Sequence, residues 1–332
     1  MRVVKLLVAA GLVWSLYWAA SAWGLRSGIA QWFDEQERQG WLAEYAALES
    51  SGFPTAHRTR ILHPTLADPG TGAAWSADWI SLYSLPQKPQ EVTLQFPPAP
   101  QRLSHYDKTA VLQAADMQAD LQLAPGSTMS LERMSLQAAE WKISRAGKVL
   151  LSAPAFALDM TRTGDTESYR ISARAETLTP RGRLQRMLIS AEELPPSLTD
   201  VTLAADVLFD TAWDRRVLEL RRPQPRRITL TQAEAHWGAL ALRANGSVDV
   251  DEAGRMSGKV DIRAENWRGL LRLAERSGLL PARLRSGTER VLGLLAQMHG
   301  REQDLDIALS ITDGQMYLGP LPLGAAPRIT LY

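Results

Sequence analysis

Over residues 240–264 the chain alternates between two kinds of side chain with a period of two. Leu240, Leu242, Ala244, Gly246, Val248 and Val250 are separated by Arg243, Asn245, Ser247 and Asp249. After Glu252, Ala253 and Gly254 the pattern resumes as Met256, Gly258, Val260, Ile262 and Ala264 against Lys259, Asp261, Arg263 and Glu265. Successive side chains of a strand point to opposite faces, so this stretch is read as a hairpin with one dry face and one charged face. The same alternation appears in Val201, Leu203, Ala205, Val207 and Phe209, in the segments 217–220 and Ile228 with Leu230, and in Leu305, Ile307, Leu309 and Ile311 against Asp304, Asp306, Ser310 and Thr312.

Upstream, turn residues punctuate long strand-like segments at 109–123, 127–144, 148–161 and 168–177. A strand pair, 56–66 and 74–85, flanks the DPGTG turn at 68–72, and Pro86, Pro89, Pro97, Pro98 and Pro100 mark irregular sheet borders, because proline cannot donate to a ladder. Within residues 55–332 helical spacing is confined to segments near 180–193, 267–277 and 281–299. The expected fold is mainly β with a few helices, a long curled antiparallel sheet occupying residues 55–332. A length of 332 residues leaves the number of domains open.

The N-terminus constrains the compartment. After Arg2 and Lys5, residues 6–25 carry no charge and are about as long as the ~20 residues needed to cross a bilayer core. Trp14, Tyr17, Trp18 and Trp23 crowd its second half, where amphipathic rings favour the interface. Residues 1–25 are therefore expected to form a transmembrane anchor. The basic residues before it place the N-terminus in the cytoplasm and the remainder in the periplasm. A cleaved signal peptide is the competing reading, since Ala20, Ser21 and Ala22 make an acceptable cleavage site. Residues 26–54 are expected to form an amphipathic helix and connector. Ile29, Trp32, Phe33, Leu42, Tyr45 and Leu48 supply an apolar stripe that docks on the domain, with Gly40 as a possible break.

Signs of catalysis are missing. The chain contains no cysteine, which excludes disulfides, thiolate metal sites and cysteine nucleophiles. His57, His63, His105, His236 and His299 lack the spacing of side-by-side zinc ligands. No nucleophile elbow, SxxK pair, HExxH or phosphate-binding glycine loop is present. The carboxylate pairs Asp249 with Asp251 and Asp304 with Asp306 could suggest glycoside hydrolysis, but they lie opposite the dry face and read as solvated sheet surface. With 37 basic and 36 acidic side chains there is no general attraction to nucleic acid. The expectation is a non-enzyme without metal or cofactor.

The dry face has to be covered, and few helices are available to cover it. A sheet curled around that face would leave a groove suited to acyl chains. The groove candidates are Val201, Leu203, Val207, Phe209, Leu240, Leu242, Val248, Val250, Val260, Ile262, Leu305, Ile307 and Leu309. Arg215, Arg216, Arg221, Arg222, Arg226 and Arg227 form a local basic run that could meet anionic head groups or simply guard an edge strand. A sandwich with a sealed core fits the same alternation. Expected partners are phospholipid or another envelope lipid, the inner membrane and, on the alternative reading as an assembly or scaffold protein, other envelope proteins that bind exposed strand edges.

Several motifs carry a family resemblance: GFP at 52–54, WSADWISLYS at 75–84 and DGQMYLGPLPLG at 313–324, after the N-terminal anchor. In these the chain resembles an alphaproteobacterial family, the domain-of-unknown-function family 2125. The hairpin GSVDVDEAGRMSGKVDIRAENW is also similar to repeats of the AsmA-like envelope proteins. That second resemblance implies an inner-membrane anchor, a curled sheet with an apolar groove, and lipid handling between the membranes. Neither resemblance implies any catalytic residue.

Overall fold

The computed structural model describes residues 1–126, 128–164, 167–181, 195–214, 222–276, 286–287, 289–290, 292–293, 304–318 and 321–331. The helix expected at 180–193 lies almost wholly outside the described residues, as does the segment 217–220. Of the helix expected at 281–299, the described residues 286–287, 289–290 and 292–293 are helical.

The chain opens with a single helix, α1 (Arg2–Arg38), 37 residues long. The amphipathic helix expected to run on towards Ser50 stops here. Gly40 takes φ +90°, a left-handed conformation glycine adopts without a Cβ clash, and its N–H bonds to the Glu37 carbonyl at 2.9 Å. Beyond Gly40 the chain is extended, as β1 (Leu42–Glu44) and β2 (Ala47–Ser51). The helical spacing of Leu42, Tyr45 and Leu48 is coincidental, because pairing with a neighbouring strand overrides it.

The next elements are β3 (His57–Leu62), β4 (Thr65–Asp68), β5 (Ala73–Ser76), β6 (Trp79–Leu85), β7 (Lys88–Gln95) and β8 (Gln101–His105). They behave as long strands bent in the middle. Ala47 faces Leu62 and Glu44 faces Thr65 in one continuous register, and His57 opposite Ser84 continues into Thr65 opposite Ser76. His63, at φ +48°, and Pro64 make one bend, bridged by the His63 N–H to Asp78 and the Ala77 N–H to Pro64. Between β7 and β8 the prolines at 97, 98 and 100 interrupt the ladder. Both halves then meet the same strand, β9 (Lys108–Leu123): β8 along residues 108–112 and β7 along 118–122.

From β9 the chain runs up and down: β10 (Leu131–Arg145), β11 (Lys148–Arg162), β12 (Ser168–Pro180), β13 (Leu198–Phe209), β14 (Pro225–Trp237), β15 (Leu240–Val250) and β16 (Met256–Glu265). Helix α2 (Trp267–Arg276) comes next, then β17 (Asp304–Thr312), β18 (Gln315–Leu318) and β19 (Leu321–Ala325). All 19 strands belong to one antiparallel sheet that does not close; from β10 to β19 each strand pairs with the next, and before that the bent strands β1–β2, β3–β4, β5–β6 and β7–β8 pair in turn. β9, β10 and β11 have 16, 15 and 15 residues, beyond the usual ~3–10.

The contacts divide the chain into two compact units, Met1–Ala138 with Trp213–Arg222 and Ala139–Ala212 with Pro223–Tyr332. In the first, the second half of α1 docks on the bent strands. Phe33 is 3% exposed and packs with Ala43, Leu48 and Ile61, flanked by Ile29, Trp32, Tyr45, Ile80 and Leu82. The apolar stripe thus serves its own unit.

In the second unit two glycines allow the closest strand approach. Gly246 and Gly258 have φ +155° and +157°, and a Cβ on either would meet a backbone oxygen of the neighbouring strand, of Lys259 and Ser247 respectively, at well under contact distance. Gly258→Ala is therefore expected to cost at least about 1–3 kcal/mol for the forced backbone conformation alone. The comparison is Gly28→Ala on α1, where a Cβ meets nothing within 4 Å. Urea unfolding should show a lowered midpoint for Gly258→Ala and none for Gly28→Ala; equal midpoints would contradict the geometry.

Candidate functional apolar face

Residues paired across an antiparallel ladder share a face, so the registers show which side chains lie together. One row runs Leu158, Ala173, Leu203, Ala233, Ala244, Ile262, Ile307 from β11 to β17. Beside it runs Met160, Ile171, Ala205, Leu230, Gly246, Val260, Leu309. A third joins Tyr169, Val207, Ile228, Val248, Gly258 and Ile311. On the other flank Ala175 faces Val201, and Leu242, Ala264 and Leu305 align. Phe209 packs edge-on against Tyr169, with ring centroids 5.9 Å apart. Leu240 and Val250 close the two ends of β15 opposite Trp237 and Met256.

The thirteen apolar positions named from the sequence therefore lie on one face of the second unit. The structure adds Leu158, Met160, Ile171 and Tyr169, which sequence reading missed. In 148–161 apolar residues occupy both faces, as Val149, Leu151 and Ala153 alternate with Leu150, so the period is blurred. The extra residue between Leu230 and Ala233 also breaks the phase of the pattern in β14.

Both ends of this face are sealed. At one end Val248, Val250, Met256, Ile311 and Ala326 form a buried cluster with Ile329 packed against it. The covering C-terminal segment is pinned by Gln224, whose Nε2 donates to the Leu331 carbonyl at 2.6 Å while its Oε1 accepts the Leu331 N–H at 2.9 Å. At the other end α2 lays Trp267 and Leu271 over Ala264 and Leu305. The described residues leave part of the face open: Leu203, in a row between these caps, is 43% exposed, and Leu242, beside Ala264 at the edge of the α2 cover, is 41% exposed. Their row neighbours are small, Ala173 and Ala233 beside Leu203, Ala235 and Ala264 beside Leu242. The face is therefore corrugated, with leucines standing between lanes of alanine and glycine. Seven strands at ~4.8 Å spacing make the longest row about 29 Å long.

The opposite face is a ladder of ion pairs. Arg170 meets Asp206 at 2.9 Å, Arg227 meets Asp249 at 2.6 Å, and Arg263 grips Asp306 with two bonds of 2.6 and 3.1 Å. Arg243 bridges Glu234, at 2.9 Å, and Glu265. Of the acidic pairs seen in the sequence, Asp249 and Asp306 are thus arginine partners. Asp251 caps the hairpin turn, its carboxylate accepting the N–H groups of Ala253 and Arg255. Among the described residues no group of His, Asp and Glu is arranged to hold a metal ion.

The described arginines of the basic run each have a different partner. Arg226 lies 3.8 Å from Asp210 and 3.6 Å from Glu252, Arg227 sits on the charged face, and Arg222 stands over the Trp41 ring at 5.8 Å. Arg215, Arg216 and Arg221 lie outside the described residues.

The bonds from Arg243 and then Gln232 hold the Glu234 carboxyl below its ordinary pKa. A depressed carboxyl contributes stability that is present above the ordinary glutamate range and lost as pH falls through the folded value. Glu234→Gln should flatten the acid side of the stability curve. Urea midpoints in a pH series from neutral downward would show this as a smaller loss than in the unmodified chain; identical slopes would contradict it.

The comparison with curated proteins finds no match. A family model, described as an uncharacterized protein conserved in bacteria (DUF2125), matches residues 18–327, nearly the whole of the sheet and most of α1. With an N-terminal helix long and apolar enough to cross a membrane and a sheet that keeps one face dry, the chain belongs to the DUF2125 family of bacterial proteins.

Proposed function

We propose that this chain is a membrane-anchored, non-enzymatic protein of the bacterial envelope that holds lipid acyl chains against the apolar face of its sheet. The observation that carries this reading is the exposure of Leu203, between the two closed ends of the face, and of Leu242, at the edge of the α2 cover. A soluble unit gains by burying such a surface, at about 25 cal/mol per Å², and an uncovered apolar stretch of this kind marks a site for a ligand or partner. An acyl chain fits its dimensions. The row of about 29 Å is comparable to a whole bilayer core of ~30 Å, so one leaflet's chain would occupy about half of it.

The anchor supports the same reading, since α1 carries Arg2 and Lys5 ahead of its apolar stretch, which favours a cytoplasmic N-terminus and a periplasmic sheet. Lipid would then be presented beside the membrane that supplies it. No charged side chain interrupts the apolar rows between β12 and β17, so head groups would stay at the mouth. Among the described arginines, Arg226 and Arg227 already have carboxylate partners, so the reading rests on acyl contact.

Site-specific photocrosslinking in growing cells tests this. A benzophenone side chain at Leu203 or Leu242 should yield phospholipid adducts, and one at Lys259, exposed on the charged face, should not. Protein adducts at Leu203 and Leu242 without lipid would instead support an assembly or scaffold role.

A further inference from the structure

The contacts of α1 place the membrane surface. Trp14 Nε1 donates to the Pro54 carbonyl, Tyr17 Oη to the Pro86 carbonyl and Trp18 Nε1 to the Ala56 carbonyl, each at 2.9 Å. Ser21 Oγ is 2.9 Å from His57 Nε2, and the Trp18 ring stacks on His57 and meets Phe53 edge-on. The turns at 52–56 and 85–87 are thus fixed beside the fourth and fifth turns of the helix. If residues 6–25 filled a bilayer core of ~30 Å, Trp14 to Trp18 would lie within about 4 Å of its centre. The docked turns, irregular backbone, would then sit in hydrocarbon, where lipid-exposed irregular backbone is not tolerated.

We infer that the membrane boundary passes through Trp14, Tyr17 and Trp18, and that the first unit rests on the bilayer with Phe53 and Leu85 immersed at the head-group and acyl border. This rests on the anchor reading above and shifts its register. Residues 2–18 then form the span, about 25 Å long, at the short end of the range for transmembrane helices. Arg2 and Lys5 can reach back to the head groups, and a short span is met by local thinning.

Three further observations agree. Val3, Val4, Leu6, Leu7, Val8, Leu12, Val13 and Leu16, all exposed, lie below the boundary. Above it the residues become small, Ala19 to Ala22, and Ala22 is buried against protein. Small residues there allow close docking, the same feature that reads as a cleavage site in the sequence alone. At the boundary itself the aromatic N–H and O–H groups, which an interface normally satisfies with water and lipid, satisfy the turn carbonyls. Phe53 is 55% exposed at the tip of its turn.

The absence of cysteine makes the test direct. Single spin labels at Gly11, Leu16, Ala20, Gly24 and Phe53 are placed on the full chain in phosphatidylethanolamine and phosphatidylglycerol vesicles. Their depth is read from collisions with oxygen and with a water-soluble nickel chelate. A Cβ at Gly11 or Gly24 meets nothing within 4 Å, so these labels leave the docking intact. The expected profile is deepest at Gly11, at head-group level for Ala20 and Phe53, and aqueous at Gly24. A maximum displaced by about 8 Å towards Leu16, with Ala20 in hydrocarbon and Phe53 in water, would overturn the inference while leaving a spanning anchor. Labels in water at every position would overturn the anchor reading as well.

Discussion

Nearest-neighbour antiparallel pairing is the constraint on which the rest of this structure depends. Because each strand hydrogen-bonds to its neighbour along the chain once β1–β2, β3–β4, β5–β6 and β7–β8 are each counted as one bent strand, the sheet is built without a crossover to a distant strand. The consequence lies in packing. Parallel architectures bring covering helices with them, whereas a meander of this kind must cover its apolar face with whatever segments happen to lie nearby. In the second unit the described covers are α2 at one end and the pinned C-terminal segment at the other. The exposed leucines result from that shortage.

The two faces are specialised for different problems. Arginine and carboxylate partners line the charged face at directly opposed or adjacent positions, including Arg227 with Asp249 and Arg263 with Asp306. Such exposed pairs add little to stability by themselves. Their larger effect is on register, because a slip of one residue would carry the charges to the dry side and the leucines to water. Gly246 and Gly258, packed against neighbouring backbone, reinforce the same register. A face held this firmly can stay uncovered in its middle without the strands repairing the exposure by sliding.

Much of this was legible in the residues. The alternation in 201–209, 240–264 and 305–311 identified the strands and the face they share, and the structure places every apolar position named from it on that face. The failures have local causes. Leu42, Tyr45 and Leu48 mimic a helical stripe, but Gly40 ends the helix and strand pairing takes the segment. The extra residue between Leu230 and Ala233 shifts the phase of β14, while β13 keeps its alternation. The ion-pair partners of Arg226 and Arg227 are distant in sequence, so the run by itself could not show that these two are paired. The depth of α1 was also beyond reach, because Trp14, Tyr17 and Trp18 reveal their carbonyl partners only once the turns at 52–56 and 85–87 are in place.

Occupation of the open part of the apolar face by lipid is the proposal on which the functional reading rests. The most direct measurement is the phospholipid retained per chain after exhaustive detergent exchange, which strips lipid from the anchor of any variant equally. A lipid-holding face predicts about one tightly held phospholipid per unmodified chain, and its loss from a Leu203→Asp, Leu242→Asp double variant that still unfolds cooperatively. Equal lipid content in the two proteins, or none in either, would contradict it.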